Sequence, residues 1–219
     1  LCKAPKLLRL CKEDSGVCAN PDRCWDAADE ISAALDGADM LIIVCGMGGC
    51  TGTEAACAIA ELAEERGIFT SAIVTHPFSF EEPSRILKAK NGMERIKAVA
   101  DNVTIVSNDR ALELADWDES IWDALKKADE TSWQMVCFID MALTKRGIIH
   151  LELADIQAVM RTKGTAYVTY FGIGEGEGKH KAMKAVANIL NSQRHSAGIR
   201  GARHVLLYMV GDIDMYDLY

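Results

Sequence analysis

The chain has 219 residues, of which 49% are hydrophobic, with a net charge of −8 and a pI near 5.2. This composition is typical of one large or two small folded domains and excludes a disordered chain. The acidic balance argues against a nucleic-acid-binding protein, which needs a basic surface. No apolar run reaches the roughly 20 residues that span a membrane.

The first half of the chain alternates helix-like and strand-like segments. Residues 22–37 have a partial apolar stripe that ends at Gly37, which predicts a helix. The run MLIIVCG at 40–46 is continuously apolar, as is typical of a strand buried on both faces. The same patterns predict helices at 52–66, 82–99 and 110–116, and strands at 68–76 and 102–107. This alternation predicts right-handed βαβ units on a parallel sheet.

The second half begins with a long segment, 119–146, that carries a helical apolar pattern. It is longer than a simple crossover and suits a spine between two domains. A strand-like piece then leads into a helix predicted from Asp155. Beyond it the sequence predicts strands at 166–174 and 203–211 and an amphipathic helix at 178–191. The domain organisation is therefore predicted as 1–118, 119–146 and 147–219.

Cysteines are concentrated at the start of the chain, with seven of the eight before residue 58. None is spaced as C-x-x-C, and no nearby histidine has zinc-site spacing. A metal or redox cluster is one interpretation. The sequence favours the other, small buried thiols in a reducing compartment, and we assign no metal ligand. The eight are Cys2, Cys11, Cys18, Cys24, Cys45, Cys50, Cys57 and Cys137.

The stretch GMGGCTGTEAA at 46–56 lies between a predicted strand and a predicted helix. Glycines there let phosphate oxygens approach backbone N–H groups at the positive end of a helix dipole, and the threonines add hydroxyl donors. The stretch lacks the Lys-Ser/Thr pair of a P-loop. It also lacks the ribose-binding acid of a dinucleotide fold, because the next strand ends in THP. A turn selected only for tight helix–strand packing is the structural alternative.

The third phosphate-binding pattern, the tubulin-type loop, matches residues 46–53 closely. The likeness continues through AIVTHPFSFEEPSR at 72–85, VSNDRALEL at 106–114, DALKKADET at 123–131 and ELADIQAVMRTKGTA at 152–166. Upstream, KAP at 3–5 and ANP at 19–21 also fit. The chain therefore resembles the FtsZ family of bacterial tubulin-like cell-division GTPases across nearly its whole length. The resemblance implies a Rossmann-like α/β GTP-binding domain, a central helix and part of a second α/β domain. It also implies that the family's first strand, first glycine loop and last strands lie outside this chain.

The resemblance implies roles for individual residues in nucleotide binding. Glu81 and Arg85 match an acid and a base near the ribose and phosphates, and Asp129 matches the carboxylate that binds guanine. A surface ion pair and a solvated helix residue are the respective structural alternatives. The predicted phosphate-binding residues are Gly48, Gly49, Cys50, Thr51, Gly52 and Thr53.

Two acids, Glu152 and Asp155, match the family's catalytic loop, which reaches the nucleotide of the next subunit and positions the attacking water. Asp155 could instead, or in addition, cap the helix that follows it. The resemblance thus implies GTP hydrolysis, assisted by Mg²⁺, coupled to head-to-tail self-assembly into filaments. It further implies a cytoplasmic protein at the division site, with division-ring partners bound through a C-terminal tail absent here, and with neither nucleic-acid binding nor membrane insertion.

Several positions depart from the family pattern. Cys50 and Glu54 replace glycines, and Leu125 replaces a phenylalanine beside the base. In the catalytic loop, His150 replaces an asparagine and Glu152 replaces an aspartate, which is one methylene shorter. These departures leave a second interpretation open, a degenerate relative that binds nucleotide or co-assembles without hydrolysis. A Rossmann-type oxidoreductase is the alternative from a different functional class.

Overall fold

The computed structural model describes residues 28–113, 120–144, 151–161, 171–191 and 202–211. In these ranges the chain forms three strands, β1 (Met40–Gly46), β2 (Phe69–His76) and β3 (Asn102–Ser107). The helices of the same ranges are α1 (Ala28–Leu35), α2 (Cys50–Glu65), α3 (Pro83–Val99), α4 (Asn108–Glu113), α5 (Ile121–Thr144), α6 (Leu153–Met160) and α7 (Lys181–Asn191).

The three strands form one parallel sheet in the order β1-β2-β3. Gly46 pairs with Thr75, and His76 pairs with Ser107, so the carboxyl ends of all three strands lie along one edge. The α2 and α3 helices provide the crossovers that parallel neighbours require. The predicted α/β fold with a parallel sheet is therefore confirmed.

Helices cover both faces of the sheet. On one face, α2 and α3 pack through several alanines and Met93 against Ile43, Ala72, Val74 and Val103. A Cβ atom at Gly92 of α3 would collide with the methyl group of Thr53, so this glycine lets the two helices approach closely. The α1 helix packs separately against Ile68.

The opposite face is covered by α5 and α6. Met135, Ile139 and Ala142 of α5 pack with Phe69 and Ile73 of β2. Ile156 and Met160 of α6 complete this cluster and are both buried. The long helix predicted over 119–146 is thus present over Ile121–Thr144, and the domain boundaries on either side of it stay a prediction. No helix in the described ranges is both long and apolar enough to cross a membrane.

Some predicted boundaries are wrong. The α6 helix begins at Leu153 rather than Asp155, because Glu152 is its N-cap and Asp155 lies in the first turn. The α7 helix begins at Lys181 rather than at 178, because positive φ angles at Gly178 and His180 form a turn before it. The first residues of the predicted helix 22–37 lie outside the described part of the chain.

The strands predicted in the last third are also wrong where the structure describes them. Residues 171–174 and 203–211 form no strand, because no backbone partner lies beside them in the described ranges. Leu206 and Tyr208 nevertheless pack against the α5 cluster, whereas Val205 and Leu207 are exposed. In residues 203–211, the alternating apolar pattern therefore reflects packing on one side of the segment. These residues form no hydrogen-bonded ladder with the described strands. Residues 166–170 lie outside the described ranges.

Candidate functional site

The chain turns sharply where β1 ends and α2 begins. The backbone N–H of Met47 donates to the carbonyl oxygen of Thr75 at 3.0 Å, which extends the β1–β2 pairing by one residue. Gly48 has a φ of +98°, and a Cβ atom there would lie 2.8 Å from both Cγ and the carbonyl oxygen of Arg85. Gly48 therefore combines a glycine conformation with a close contact to α3.

The amino terminus of α2 lies directly against the end of β1. A Cβ atom at Gly52 would collide with the carbonyl oxygen of Gly46. Gly49 is the N-cap and makes no side-chain capping bond, and a Cβ atom there would meet nothing within 4 Å. Among the described residues, the first amides of α2 therefore have no capping side chain, and they lie at the positive end of the helix dipole beside open space.

The two threonines of the loop have different surroundings. Thr53 is 3% exposed, and its hydroxyl oxygen accepts the backbone N–H of Gly48 at 2.9 Å. Thr53 therefore holds the turn in place. The Thr51 hydroxyl oxygen is buried and has no hydrogen-bond partner within the described residues. A buried hydroxyl without a partner is costly, so Thr51, unlike Thr53, has a donor for which no partner is found among the described residues.

Two of the residues that depart from the family pattern are exposed on α2. Cys50 is exposed at the first position of the helix. One turn later, Glu54 pairs with Arg95 of α3 at 2.8 Å, and Arg95 also lies 3.5 Å from Glu61. The hydrogen bond from Arg95 to Glu54 raises the pKa of the Arg95 guanidinium. The Glu54 carboxylate is thus directed towards α3.

Glu81 and Arg85 lie beside the glycine loop. One carboxylate oxygen of Glu81 accepts the backbone N–H of Phe78 at 2.8 Å, and the other lies 2.8 Å from Nε of Arg85. The ion pair considered as the structural alternative is therefore present. The contact between Arg85 and Gly48 brings this pair to the loop, while the terminal guanidinium nitrogens have no partner in the described ranges.

The α5 helix carries the residue predicted to bind guanine. Asp129 is an exposed residue, yet neighbouring atoms exclude part of the water around its carboxyl group, and this desolvation raises its pKa. Leu125, one turn earlier, is half-buried. No described hydrogen bond or ion pair joins Asp129 to the glycine loop, so its role in base binding stays a prediction.

Glu152 and Asp155 lie at the amino end of α6. Both residues are exposed, and a carboxylate oxygen of Asp155 accepts the backbone N–H of Glu152 at 2.9 Å in a capping box. The helix-capping interpretation therefore holds for this pair. Among the described residues, neither acid contacts the glycine loop, and His150 lies outside them.

Sequence reasoning missed two polar contacts that fix α6 on the sheet. The Asn102 carboxamide donates to the carbonyl oxygen of Met160 at 3.0 Å, and Arg161 lies 3.5 Å from Asp101. Asn102 and Asp101 lie at the amino end of β3, opposite the edge from which the glycine loop leaves. A polar residue at the start of an apolar strand was the available signal.

Of the four thiols in the described part, Cys57 is buried, Cys45 and Cys137 are half-buried, and Cys50 is exposed. Burial raises the pKa of Cys45 to about 12, with a further contribution from Cys57. Burial also raises the pKa of Cys57, whose thiol lies 3.5 Å from the carbonyl oxygen of Gly92. These thiols are protonated and unreactive near neutral pH. In the described ranges no three His, Cys, Asp or Glu residues are grouped as a metal site, and four of the eight cysteines lie outside these ranges.

Comparisons with known proteins agree with this architecture. A family model described as "Tubulin/FtsZ family, GTPase domain" matches residues 13–116. The "Cell division protein FtsZ 1" of Archaeoglobus fulgidus is 39% identical over 190 residues, which are 87% of this chain and 50% of that protein. The protein of the same name from Thermococcus kodakarensis is 41% identical over 216 residues, 95% of this chain and 57% of that protein. The chain thus spans 50% and 57% of the lengths of these two relatives.

Solved structures give the same result. The structure described as "FtsZ dimer, empty (M. jannaschii)" matches with a TM-score of 0.69 and 35% identity, over 80% of this chain and 51% of that chain. CetZ from Methanosaeta thermophila has a TM-score of 0.64 at 19% identity, over 78% of this chain and 48% of that chain, and this likeness concerns the fold alone. The matches favour the predicted family over a Rossmann-type oxidoreductase. The chain belongs to the tubulin/FtsZ family and is of the FtsZ type.

Proposed function

We propose that this chain is the GTP-binding part of an FtsZ-like GTPase that assembles head to tail into filaments. The turn from β1 into α2 is the observation that carries the proposal. Within seven residues it combines a glycine beside open space with helix amides and a buried hydroxyl for which the described part of the chain provides no side-chain partner. A turn needed only for packing is not expected to leave a buried hydroxyl in that state.

The loop residues fit a chain of phosphates. In this proposal the first amides of α2 and the Thr51 hydroxyl donate to phosphate oxygens, as anions bind at other helix amino termini. Gly49 provides the open approach, whereas Gly48, Gly52 and Thr53 maintain the shape of the turn. Cys50 contributes its backbone amide, and its exposed side chain lies at the entrance to the site.

The rest of the nucleotide would be bound by residues from α3 and α5. The unpaired end of the Arg85 guanidinium suits a phosphate oxygen, and the remaining lone pairs of Glu81 can accept from ribose hydroxyls. Asp129 would accept the two N–H donors on the guanine edge. Mg²⁺ would reach the site with the phosphates, where it neutralises their charge. We assign no residue of this chain to that ion.

Hydrolysis would require a second subunit. Glu152 and Asp155 are exposed at the start of α6, whose opposite end is attached to the sheet edge remote from the glycine loop. We propose that these carboxylates orient a water molecule at the nucleotide of a neighbouring subunit. A head-to-tail contact that does not close builds an open filament, and one fold relative, CetZ2 from Haloferax volcanii, has been solved as a protofilament. Such filaments would act in the cytoplasm at the division site, with further division proteins as partners.

An assembly-only relative is the second candidate. Both oxygens of Glu81 are already bonded within the chain, and Leu125 offers no aromatic ring to the base. Glu152 is also one methylene longer than the aspartate of the family pattern. A displacement of about 1 Å can reduce turnover about 100-fold while nucleotide binding survives.

Alkylation of Cys50 tests the proposed nucleotide site directly. In the full-length protein, saturating GTP or GDP should slow alkylation of this exposed thiol by about tenfold or more, because phosphates would cover the start of α2. Alkylation of Cys137, on α5, is the matched control and should be unaffected. GTP binding without protection of Cys50 would place the phosphates elsewhere, and failure to bind GTP would refute the proposal.

A further inference from the structure

We propose that Asn102 is a positioning residue for GTP hydrolysis, because its carboxamide fixes the helix that carries Glu152 and Asp155. The inference rests on the proposed function and adds a residue that lies away from the nucleotide loop. Asn102 is 1% exposed, although asparagine is disfavoured in strands. Its burial therefore requires a specific set of partners.

Asn102 joins three elements of the fold. Its amide nitrogen donates to the carbonyl oxygen of Met160 at 3.0 Å. Its carbonyl oxygen accepts the hydroxyl of Ser71 on β2 at 3.3 Å and that of Thr104 on β3 at 3.5 Å. Met160 is the last residue of α6, where helix carbonyls have no partner within the helix. The carboxamide thus ties this helix end to two strands.

A second contact reinforces the attachment. One oxygen of Asp101 accepts the backbone N–H of Thr70 at 3.0 Å, and the other lies 3.5 Å from Nε of Arg161. The Arg161 guanidinium also lies over the ring of Phe69, 5.8 Å from its centroid. Arg161 is 61% exposed, so the buried Asn102 bond is the stronger of the two attachments.

The short length of α6 makes this attachment important for the acids. The helix has 8 residues, and in it only Ile156 and Met160 are buried. Among the described contacts, loss of the bond to Met160 would leave α6 held by apolar packing and by the exposed contact of Arg161 with Asp101. Apolar packing does not fix the direction of a helix, and an exposed ion pair contributes little. A shift of about 1 Å at Glu152 and Asp155 is sufficient to reduce turnover about 100-fold.

The test uses Asn102→Ala and Asn102→Asp in the full-length protein. Asn102→Asp preserves the acceptor for Ser71 and Thr104 but places an oxygen against the Met160 carbonyl. Ser71→Ala is the matched control, because it removes a buried partner of Asn102 and leaves the bond to α6. We expect both Asn102 variants to reduce kcat by about 10- to 100-fold with GTP affinity within about twofold. Ser71→Ala should change neither by more than about twofold.

Hydrogen exchange of residues 151–161 provides a readout that does not depend on hydrolysis. Exchange should accelerate in both Asn102 variants and stay unchanged in Ser71→Ala. Arg161→Ala, at an exposed position, should accelerate the same exchange more weakly. This variant replaces an Asn102 variant that does not fold. If the parent protein hydrolyses no GTP, the proposed function fails, while the exchange data still decide whether Asn102 fixes α6. Unchanged exchange, or equal effects of Asn102→Ala and Ser71→Ala on kcat, would overturn the inference.

Discussion

The glycine loop and the start of α6 are built in opposite ways. Three contacts within the chain hold the loop. The Met47 amide donates to the Thr75 carbonyl, the Gly48 amide donates to the Thr53 hydroxyl, and Arg85 packs against Gly48. At the start of α6, the capping box is the contact found among the described residues, and both of its acids are exposed. In the proposed function, the loop is a preformed binding site. The α6 helix is bonded to Asn102 at its carboxyl end, and its two exposed acids lie at its amino end.

This difference indicates how a reaction can depend on assembly. A loop held by its own chain can bind nucleotide in a single subunit, because its amides are already oriented. Exposed acids contribute to catalysis only when something brings a nucleotide to them. Substitutions in the loop should therefore alter binding, and substitutions at the start of α6 should alter turnover alone.

Substitution of Asp155 should give the largest effect. Asp155→Ala should reduce GTP turnover by about 100- to 10,000-fold, the range for loss of a water-orienting group, with GTP affinity nearly unchanged. Because Asp155 also caps α6, the matched variant is Asp155→Asn, which retains an acceptor for the Glu152 amide. Both variants should lose turnover in steady-state assays. An active Asp155→Asn enzyme, or equal losses of binding and turnover, would contradict the separation of roles.

Gly48 and Gly49 should respond differently to alanine. Gly48→Ala strains a left-handed residue against Arg85, so we expect the free energy of unfolding to fall by about 2 kcal/mol or more and GTP affinity to fall at least about tenfold. Gly49→Ala should lower stability by about 1 kcal/mol or less, because its Cβ meets open space. The GTP affinity of the Gly49→Ala variant should still fall, because in the proposed function phosphates occupy the space that the new Cβ atom would fill. Denaturant unfolding and equilibrium binding measure both, and full affinity in Gly49→Ala would exclude phosphate from that space.

Substitutions of Thr51 and Thr53 should distinguish an effect on GTP binding from an effect on the stability of the fold. Thr51→Val removes an unpaired buried hydroxyl, so the free energy of unfolding should not fall, whereas GTP affinity should fall by about tenfold. Thr53→Val leaves the Gly48 amide without its acceptor and should cost about 1–3 kcal/mol of stability. Calorimetry and nucleotide titration distinguish the two. A Thr51→Val protein that is less stable without nucleotide would show that Thr51 serves the fold instead.

The contact between Glu54 and Arg95 should have the smallest effect. Arg95→Ala releases a negative charge one turn from the glycine loop, and we expect GTP affinity to fall by about two- to threefold at low salt. Glu54→Gln in the same protein should restore it, and a salt concentration of about 0.5 M should abolish the difference. Nucleotide titration of the single and double variants completes the cycle. No recovery in the double variant would show that Arg95 acts in another way.

Sequence reasoning predicted the first half of the molecule well. The continuously apolar strands and glycine-terminated helices fixed the β-α alternation, since these patterns depend on neighbours in the chain. The strand Asn102–Ser107 begins and ends where its pattern predicts. The resemblance identified the same loop that the structure shows to have uncapped amides. Local sequence patterns were therefore sufficient to predict the glycine loop and its position at the edge of the sheet.

The missed features depend on residues that are distant in the chain. The bond between Asn102 and Met160 spans 58 positions. A polar residue at the start of β3 indicates that partners are needed, but it does not identify Met160 as one of them. The pairing of Glu54 with Arg95 likewise connects α2 to α3 across 41 positions. The wrong strand at 203–211 has the same origin, because an alternating pattern does not supply the backbone partner that a strand needs.

GTP turnover per subunit, measured against the concentration of the full-length protein, is the most direct test of the split site. If exposed acids on one subunit complete the loop of another, turnover per subunit should be negligible at low concentration and rise above a threshold. Binding of GTP should show no such threshold. Turnover per subunit that is constant down to concentrations at which the protein is monomeric would contradict the account, because one chain would then carry the whole catalytic site.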